Sequence, residues 1–392
     1  MKIAISGAGV AGPTLAYWLH RTGHQPTLIE RAPEFRTGGY VIDFWGVGFT
    51  VAQRMGIEAA VRARGYQVQS IRAARADGRT RASLGVDPFR RAVGDRFTSI
   101  PRGDLAETIY ATIEDDVEAI FGDSITAVEE HSDGVGISFE RAKSREFDLV
   151  IGADGLHSNL RRLTFGNDEA AEHYLGCVVA ACVVDGYRPR DDLVYVTYPQ
   201  PGRSIGRFTL RDDRTMFLFL IRCPEPYASS ETARQKALVR SHFADATGEC
   251  ADILAALDDA DDFYFDVVSQ IRLDRWSRGR TALIGDAAAC VSLMAGEGTG
   301  LAMTEAYVLA GELQRARGDH RTAFDTYESR LRAFVRGKQG SAEKFLPIFA
   351  TQTALGLWIR DVVMTVLDAI PRADLIIGRD LRDDFELPDY SM

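Results

Sequence analysis

Apolar residues recur along this chain in two rhythms, and the rhythms change in blocks. Ile3, Ala4 and Ile5 form a short continuous apolar run, the pattern of a strand buried on both faces. After Gly7-Ala8-Gly9-Val10-Ala11-Gly12 the spacing becomes helical, with Leu15, Ala16 and Leu19 on one side. Residues 26–30, Pro-Thr-Leu-Ile-Glu, read as a second strand ending in an acid. Residues 47–63 predict one helix, apolar at Val51, Met55 and Ile57, and the stretch 67–97 predicts a small antiparallel insertion with turns such as Asp77-Gly78. A helix opens at Pro101-Arg102-Gly103-Asp104, with Leu105, Ile109 and Ile113 on one face. Three strands follow at 117–121, 124–130 and 135–140, then an apolar strand at 147–151 that runs into Gly152-Ala153-Asp154-Gly155.

From 177 to 221 the rhythm is that of an antiparallel sheet, with strand-like runs at 177–184, 193–198 and 216–221 separated by Asp, Pro and Gly turns. Helices are predicted near 230–246 and 251–257, and a last strand of this block at 263–268. A buried parallel strand returns at 280–284 and ends in Gly285-Asp286. A glycine-rich loop with Gly296, Gly298 and Gly300 precedes a long helix at 299–317. The remainder, to about 368, is helical and amphipathic, and a polar tail closes the chain at Met392. The fold class is α/β, with a second block of antiparallel character.

Composition narrows the function classes. A chain of 392 residues, 46% hydrophobic and 26% charged, is long enough for two domains. Its net charge of −10, with acids spread along it, disfavours nucleic-acid binding, which needs a basic face. Cys177, Cys182, Cys223, Cys250 and Cys290 contain no C-x-x-C pair, and the histidines form no ligand cluster, so neither a disulfide framework nor a metal site is expected. The N-terminus has no signal-peptide pattern, and the longest uncharged stretch near the other end, 345–359, is interrupted by Pro347 and Gln352 and too short to span a bilayer. A cytoplasmic location is expected.

Strand, G-x-G-x-x-G and helix together form the dinucleotide fingerprint, and Glu30 stands at the spacing of a ribose-binding acid. Gly7 permits the tight turn, Gly9 the approach of a pyrophosphate and Gly12 close packing of helix on strand, while the helix N-terminus offers N–H groups to phosphate. Two further glycine–carboxylate motifs, Gly152-Ala153-Asp154-Gly155 and Gly285-Asp286, also follow apolar strands. In an open α/β sheet such residues line one crevice, so all three motifs are expected to converge on one extended ligand. A nicotinamide dehydrogenase would account for the first motif only. No second G-x-G-x-x-G follows a strand, which argues against a separate domain for a second dinucleotide.

With these motifs the chain resembles the group A FAD-dependent aromatic monooxygenases, the para-hydroxybenzoate hydroxylase-like enzymes. The carriers are Gly7-x-Gly9-x-x-Gly12 with Glu30-Arg31, Arg102-x-x-Leu105, Asp154-Gly155-x-x-Ser158-x-x-Arg161 and Gly285-Asp286-Ala287-Ala288. The runs VAGPTLAYWL, GGYVID, DDFYFD and LIGDAAACVSLMAGEGTGLAMTEAYVLAGEL are similar to the tetracycline-inactivating subgroup. The sequence departs from the family pattern at Ala289, Ser292, Leu293, Gly300 and Glu305.

The resemblance implies a Rossmann-like FAD-binding domain of the para-hydroxybenzoate hydroxylase type, built from 1–70, 98–170 and 276–335. It implies an antiparallel-sheet substrate domain, 71–97 and 171–275, and a C-terminal helical segment, 336–392. The cofactor would be FAD, tightly but non-covalently bound, with NAD(P)H as a transient co-substrate and O2 as oxidant. The implied activity is monooxygenation of a phenolic or polycyclic natural product, a tetracycline-like antibiotic among the candidates, through a flavin C4a-hydroperoxide. The flavin carries that chemistry, so no protein group is singled out as catalytic. An FAD-dependent reductase or dehydrogenase, and a non-catalytic binding protein, are the alternatives; the oligomeric state is open, with a monomer plausible.

The cofactor contacts so implied are Gly7, Gly9, Val10, Ala11, Gly12, Glu30, Arg31, Asp43, Arg102, Asp154, Gly285, Asp286, Gly296, Gly298, Thr299 and Gly300. Glu30 would hold the adenosine ribose beside Arg31, Arg102 would approach the flavin, and Asp154 would act through its loop. Asp286 would meet the ribityl or pyrophosphate portion, and the loop 295–300 would aim N–H groups at the flavin pyrimidine ring. Asp43 reads equally well as a ligand contact or a strand-end carboxylate. His157 reads better as a loop-surface histidine than as an acid–base group. Phe208, Phe217 and Phe219 could wall an aromatic pocket, although core packing accounts for them better. Arg207 is either a partner for an anionic substrate or a surface arginine. Phe345, Phe349, Leu355 and Trp358 would form the inward face of a late bridging helix that shapes the substrate entrance, or that helix only stabilises the domain junction.

Overall fold

The structure is a computed structural model that describes residues 1–35, 39–94, 96–166, 171–227, 229–260, 262–292, 296–370 and 383–392. Short strands that are apolar on both faces assemble into one sheet. These are β1 (Lys2–Ser6), β2 (Gln25–Glu30), β7 (Glu118–Phe121), β11 (Leu149–Gly152) and β18 (Thr281–Leu283), mutually parallel, with β17 (Ser277–Arg278) antiparallel at one edge. The order is β17-β18-β11-β1-β2-β7. The chain therefore leaves β1 toward β2 on one side and returns as β11 on the other, which makes the end of β1 a topological switch point.

Alternation along β1 assigns its two faces. Ile3 and Ile5 share a core with Leu28, Leu149 and Ile151 and with the buried stripes of α1 (Ala11–Arg21), α5 (Arg102–Tyr110) and α10 (Gly298–Arg315). Ala4 packs on the other side with Ile29 and Val150 beneath a three-stranded sheet, β8 (Ile125–Glu130), β9 (Val135–Phe139) and β10 (Arg145–Phe147), and α6 (Asn159–Phe165). Both faces being covered is why these strands carry no polar rhythm.

The second sheet has seven strands in the order β16-β12-β15-β14-β13-β4-β5. They are β16 (Phe263–Ile271), β12 (Glu172–Asp185), β15 (Arg214–Arg222), β14 (Arg203–Thr209), β13 (Val194–Gln200), β4 (Ser70–Ala74) and β5 (Thr80–Gly85). All neighbours are antiparallel except β13 and β4. β12 runs further than the expected 177–184. It bends at Gly176, whose φ of +75° only glycine adopts freely, and its register with β16 shifts there. Two helices, α7 (Thr232–His242) and α8 (Glu249–Ala256), cover the outer face, leaving the inner face toward the first sheet.

A two-stranded ribbon, β3 (Val41–Trp45) with β6 (Phe97–Pro101), connects the halves. The single helix expected over 47–63 is two, α2 (Gly46–Arg54) and α3 (Glu58–Arg64), because Gly56 at φ +75° turns the chain between them. A short α4 (Asp87–Val93) follows β5, and a four-residue α9 (Asp286–Ala289) follows β18.

Two long helices close the fold, α11 (His320–Phe349) and α12 (Ala354–Ala369). The expected inward face is overturned: Phe349, Leu355 and Trp358 are 52%, 66% and 61% exposed, and Phe345 is only partly buried. Leu346, Ala350 and Leu357 are the buried positions. α12 lies against β5, held by Arg81–Asp361 at 2.7 Å and by the Gly85 N–H donating to Asp368 at 2.7 Å. The last ten residues are docked as well. Tyr390 is buried, its hydroxyl donating to Glu312 at 2.6 Å, and Phe385 stacks on Phe334. No described helix is long and apolar enough to cross a membrane.

Candidate functional site

The three glycine–carboxylate motifs touch one another at the switch point. A Cβ on Gly7 would lie 2.5 Å from the carbonyl oxygen of Ala153, so the first motif packs directly on the second. A Cβ on Gly12 would lie 2.0 Å from the carbonyl oxygen of Gly7, which is the close packing of α1 on its own turn. Arg161, buried in α6, donates to the carbonyl of Ala287 at 3.0 Å and so ties the second motif to the third. The carbonyl ends of β1, β11 and β18 thus form one rim.

Gly9 differs from its two neighbours. Nothing but the Arg102 guanidinium, at 3.8 Å, stands near the place its Cβ would take. Protein packing demands glycine at 7 and 12; at 9 the space is open, as the approach of a pyrophosphate requires. No side chain caps α1, and its first turn holds no acid, so its leading N–H groups face that space unneutralised. Val10 and Ala11 supply this uncapped start. Each Glu30 oxygen already accepts one backbone N–H, from Ala8 and Ala32, both at 2.9 Å. The carboxylate is thereby fixed in orientation with lone pairs to spare for two hydroxyls. Arg31 is exposed beside it.

Asp154 points into its own loop. It accepts from Ser158 Oγ, from Ser6 Oγ at 3.3 Å and from the Leu160 N–H at 3.0 Å, so it shapes the rim without facing the groove. Gly285, at φ +62°, donates its N–H to the buried Glu305, which also accepts from the Tyr327 hydroxyl. Burial pushes Glu305 up to about 8 against those two hydrogen bonds. Asp286 opens α9, with Gly298 close by: a Cβ there would be 3.7 Å from an Asp286 carboxylate oxygen. Gly298, Thr299 and Gly300 form the first turn of α10, again without a side-chain cap or an acid within it. Gly300 lies against Gly48 of α2, where a Cβ on Gly48 would be 2.2 Å from the Gly300 Cα. Gly296 lies under the Trp45 ring, and Ala295 and Leu293 fall outside the described residues.

Beyond this rim the inner face of the seven-stranded sheet forms a floor. Leu218 sits in the middle of a central strand and Thr197 in its neighbourhood, yet both are partly exposed, as are Tyr195 and Tyr264. Mid-strand exposure in the interior of a sheet marks a cleft. Registry places Tyr264, Ala181, Leu218, Gly206 and Thr197 in one row across five strands, with the short Ala181 and Gly206 on either side of Leu218. Tyrosines rise at its margins. Tyr40 meets Tyr264 with ring centroids 5.4 Å apart, and Tyr195 stacks on Phe208.

Charge in the cleft is arranged around Arg102. Burial works against its charge, and Tyr40, Asp286, Tyr264 and Asp266 together hold its pKa above the ordinary value. Burial pushes the Tyr40 phenol up to about 12 despite Arg102. Asp266 accepts from the Tyr264 hydroxyl at 3.1 Å and pairs with His157 at 2.8 Å, which raises the pKa of that imidazole. His157 is mostly exposed, as expected, but it bridges the second motif to β16. Asp43 keeps contact with solvent on the β3–β6 ribbon. Desolvation raises its pKa, and a hydrogen bond donated by Ser99 only partly offsets this.

The chain matches the family model described as FAD binding domain over residues 1–338. It belongs to that family. A flavin-dependent monooxygenase from an unknown prokaryotic organism is 34% identical over 99% of both chains. Another, from Legionella longbeachae, is 33% identical over 86% of this chain and 87% of its own. The solved structure of the tetracycline destructase Tet(55) superposes with a TM-score of 0.84, at 31% identity, over 99% of this chain and 98% of its own. This protein is an FAD-dependent monooxygenase, and the open space at Gly9, the uncapped α1 and α10 and the half-used Glu30 fit that cofactor.

The monooxygenase departs from the sequence-derived substrate contacts. Phe217 and Phe219 lie on the outer face of the sheet, fully buried with Phe243 beneath α7 and α8. Arg207 is neither a surface residue nor a cleft residue. It is 1% exposed on that same outer face, paired with Asp191 at 2.6 Å and Glu249 at 2.7 Å. Phe208 alone points inward, and it is wholly buried behind Tyr195 and Tyr66. The residues that do border the cleft, Tyr40, Tyr264, Asp266, Tyr195, Thr197 and Leu218, were not singled out. A signal existed in β16, where Tyr264 and Asp266 alternate with Phe263 and Phe265.

Proposed function

We propose that this monooxygenase hydroxylates a flat phenolic or polycyclic compound, with tetracyclines as the first candidates, and that NAD(P)H supplies the electrons. The observation that carries this reading is the floor itself: a row of Ala181, Leu218, Gly206 and Thr197 bordered by tyrosines. Similarity along the whole chain to a tetracycline destructase supports the substrate class.

Bound FAD would supply the redox chemistry, drawing electrons from NAD(P)H and delivering one atom of O2 to an electron-rich carbon. The chain's own part is to hold, orient and dry. Glu30 would accept from the adenosine ribose, and the N–H groups at the start of α1 would meet the pyrophosphate. The N–H groups of Gly298, Thr299 and Gly300 would oppose negative charge on the pyrimidine ring of the reduced cofactor, with no reorganisation needed. Asp43 and Tyr195 would orient polar edges of the substrate on the floor. Tyr40 and Tyr264 would exclude water from the reacting edge.

The test is direct. Purified protein reconstituted with FAD is expected to consume NADPH faster when a tetracycline is added, and the product is expected to carry one ¹⁸O from labelled O2. Faster NADPH consumption with an unlabelled, saturated product would instead assign a reductase. Protein that takes up no FAD would overturn the reading.

A further inference from the structure

Three buried charges from distant parts of the chain meet behind the flavin-facing loop. Lys338, in the middle of α11, lies between Glu297 at 2.7 Å and Asp383 at 2.6 Å, and the three side chains are only 10%, 13% and 12% exposed. Glu297 is the residue immediately before α10, within the loop whose next three residues form the uncapped first turn. Asp383 belongs to the docked segment 383–392. Its second oxygen accepts the N–H of Val47 at 2.6 Å, in the first turn of α2, which has no cap of its own. Gly46 leaves the room for it, since a Cβ there would sit 2.2 Å from that oxygen.

The cluster therefore touches both walls of the loop. α2 reaches Gly300 through Gly48, and Trp45, just before α2, covers Gly296. Asp383 fixes the start of α2, while Lys338 fixes Glu297. Burial pushes Glu297 up to about 7, and the Lys338 ammonium opposes that rise. The rest of the tail is anchored independently of the cluster: Arg54 and the Tyr307 hydroxyl donate to the Pro388 carbonyl, and Tyr390 fills the space beside Gly311. Burying three charges is costly and weak evidence for stability alone, which leaves geometric specificity as the reason to look for.

We infer that Asp383 is a positioning residue for the cofactor: acting through Lys338 and Glu297, the C-terminal tail holds the α10 N–H groups where they meet the flavin. The inference rests on the assignment of residues 296–300 to the flavin. It predicts that cofactor affinity is set in part by a side chain that acts through Lys338 and Glu297.

The experiment titrates FAD into the full-length apoprotein, following flavin fluorescence, and records the midpoint potential of the bound flavin. Asp383→Asn keeps the shape and the hydrogen bond to Val47 but loses the ion pair. It is expected to weaken FAD binding by roughly tenfold, the scale seen when a supporting contact behind a bound group is lost, and to shift the potential. Glu297→Gln is expected to give the same change, and the double variant no more than either alone, because both act through one lysine. It also serves if Asp383→Asn does not fold. Tyr390→Phe, which loosens the tail away from the cluster, is expected to lower the melting temperature without altering FAD affinity or potential. Thr299→Asp separates the two levels of the argument, since an acid there suits the helix but opposes the reduced flavin. If Thr299→Asp shifts the potential while Asp383→Asn and Glu297→Gln leave affinity and potential unchanged, the positioning role is overturned and the loop assignment stands. If Thr299→Asp changes nothing either, the loop assignment itself fails.

Discussion

The two faces of the seven-stranded sheet are made by the same strands and behave as different materials. On the outer face Phe217, Phe219, Phe243 and Ile205 are closed off under two helices, and even the arginine there is buried between two carboxylates. On the inner face, one residue along each strand, Leu218 and Thr197 keep contact with solvent although they lie within the sheet, as do Tyr195 and Tyr264 toward its margins. The difference teaches that a binding floor in a sheet is recognised by unfinished burial, not by the presence of aromatic side chains.

Truncations should separate the faces most sharply. Phe217→Ala removes a wholly buried ring from the outer core and is expected to cost about 3–5 kcal/mol of stability, read as a lower denaturation midpoint, with kcat per folded molecule retained. Arg207→Met leaves Glu249 without its cation and is expected to cost about 3 kcal/mol, again with substrate affinity unchanged. A change in KM out of proportion to stability in either variant would mean that the outer face communicates with the site.

The inner face should respond in the opposite sense. Leu218→Trp fills open space on the floor, so the denaturation midpoint is expected to stay near that of the parent, while KM for the aromatic substrate rises roughly tenfold. A large loss of stability with normal KM would show that Leu218 is core after all.

The smallest contrast concerns two aspartates shifted in opposite directions from the ordinary 3.8. For Asp191, burial would raise the pKa, but Arg207 and Arg72 override it and hold it low. Its contribution to stability is present above 3.8 and is lost as pH falls through the folded value. For Asp43, desolvation raises the pKa, so its contribution is complete below 3.8 and is lost as pH rises through the folded value. Melting temperature against pH is expected to lose its acid-side decline in Asp191→Asn, and to decline less toward neutral pH in Asp43→Asn. Parallel curves for both variants and the parent would break the comparison.

The cofactor rim was far more legible in sequence than the floor. Gly7, Gly12 and Glu30 answer local demands, a turn and a strand end, that a short window of sequence displays. The convergence of three motifs could be argued because an open α/β sheet has only one edge where strand ends collect. The floor depends on which parity of each strand faces inward, and a single-residue step exchanges the two faces. Phe217 and Phe219 thus fall to the core reading, on the side of the sheet that the helices cover. Lys338 and Asp383 could not be paired from sequence at all, because nothing in an amphipathic helix or a polar tail announces a partner. The expected inward face of the last helices failed for a related reason: α12 is apolar nearly all round, so periodicity does not say which side is covered.

The contact between Gly7 and Ala153 carries one more consequence, for the order in which the molecule comes to life. β1 is synthesised before its neighbours in the sheet, β2 and β11, and β11 in turn needs β18. The rim is incomplete until Asp286 has left the ribosome, and its supporting α10 and tail come later still. Contacts of such sequence separation form late and slowly. A nascent chain therefore carries its most recognisable motif for most of its synthesis without a working cradle, and cofactor capture belongs to the end of folding.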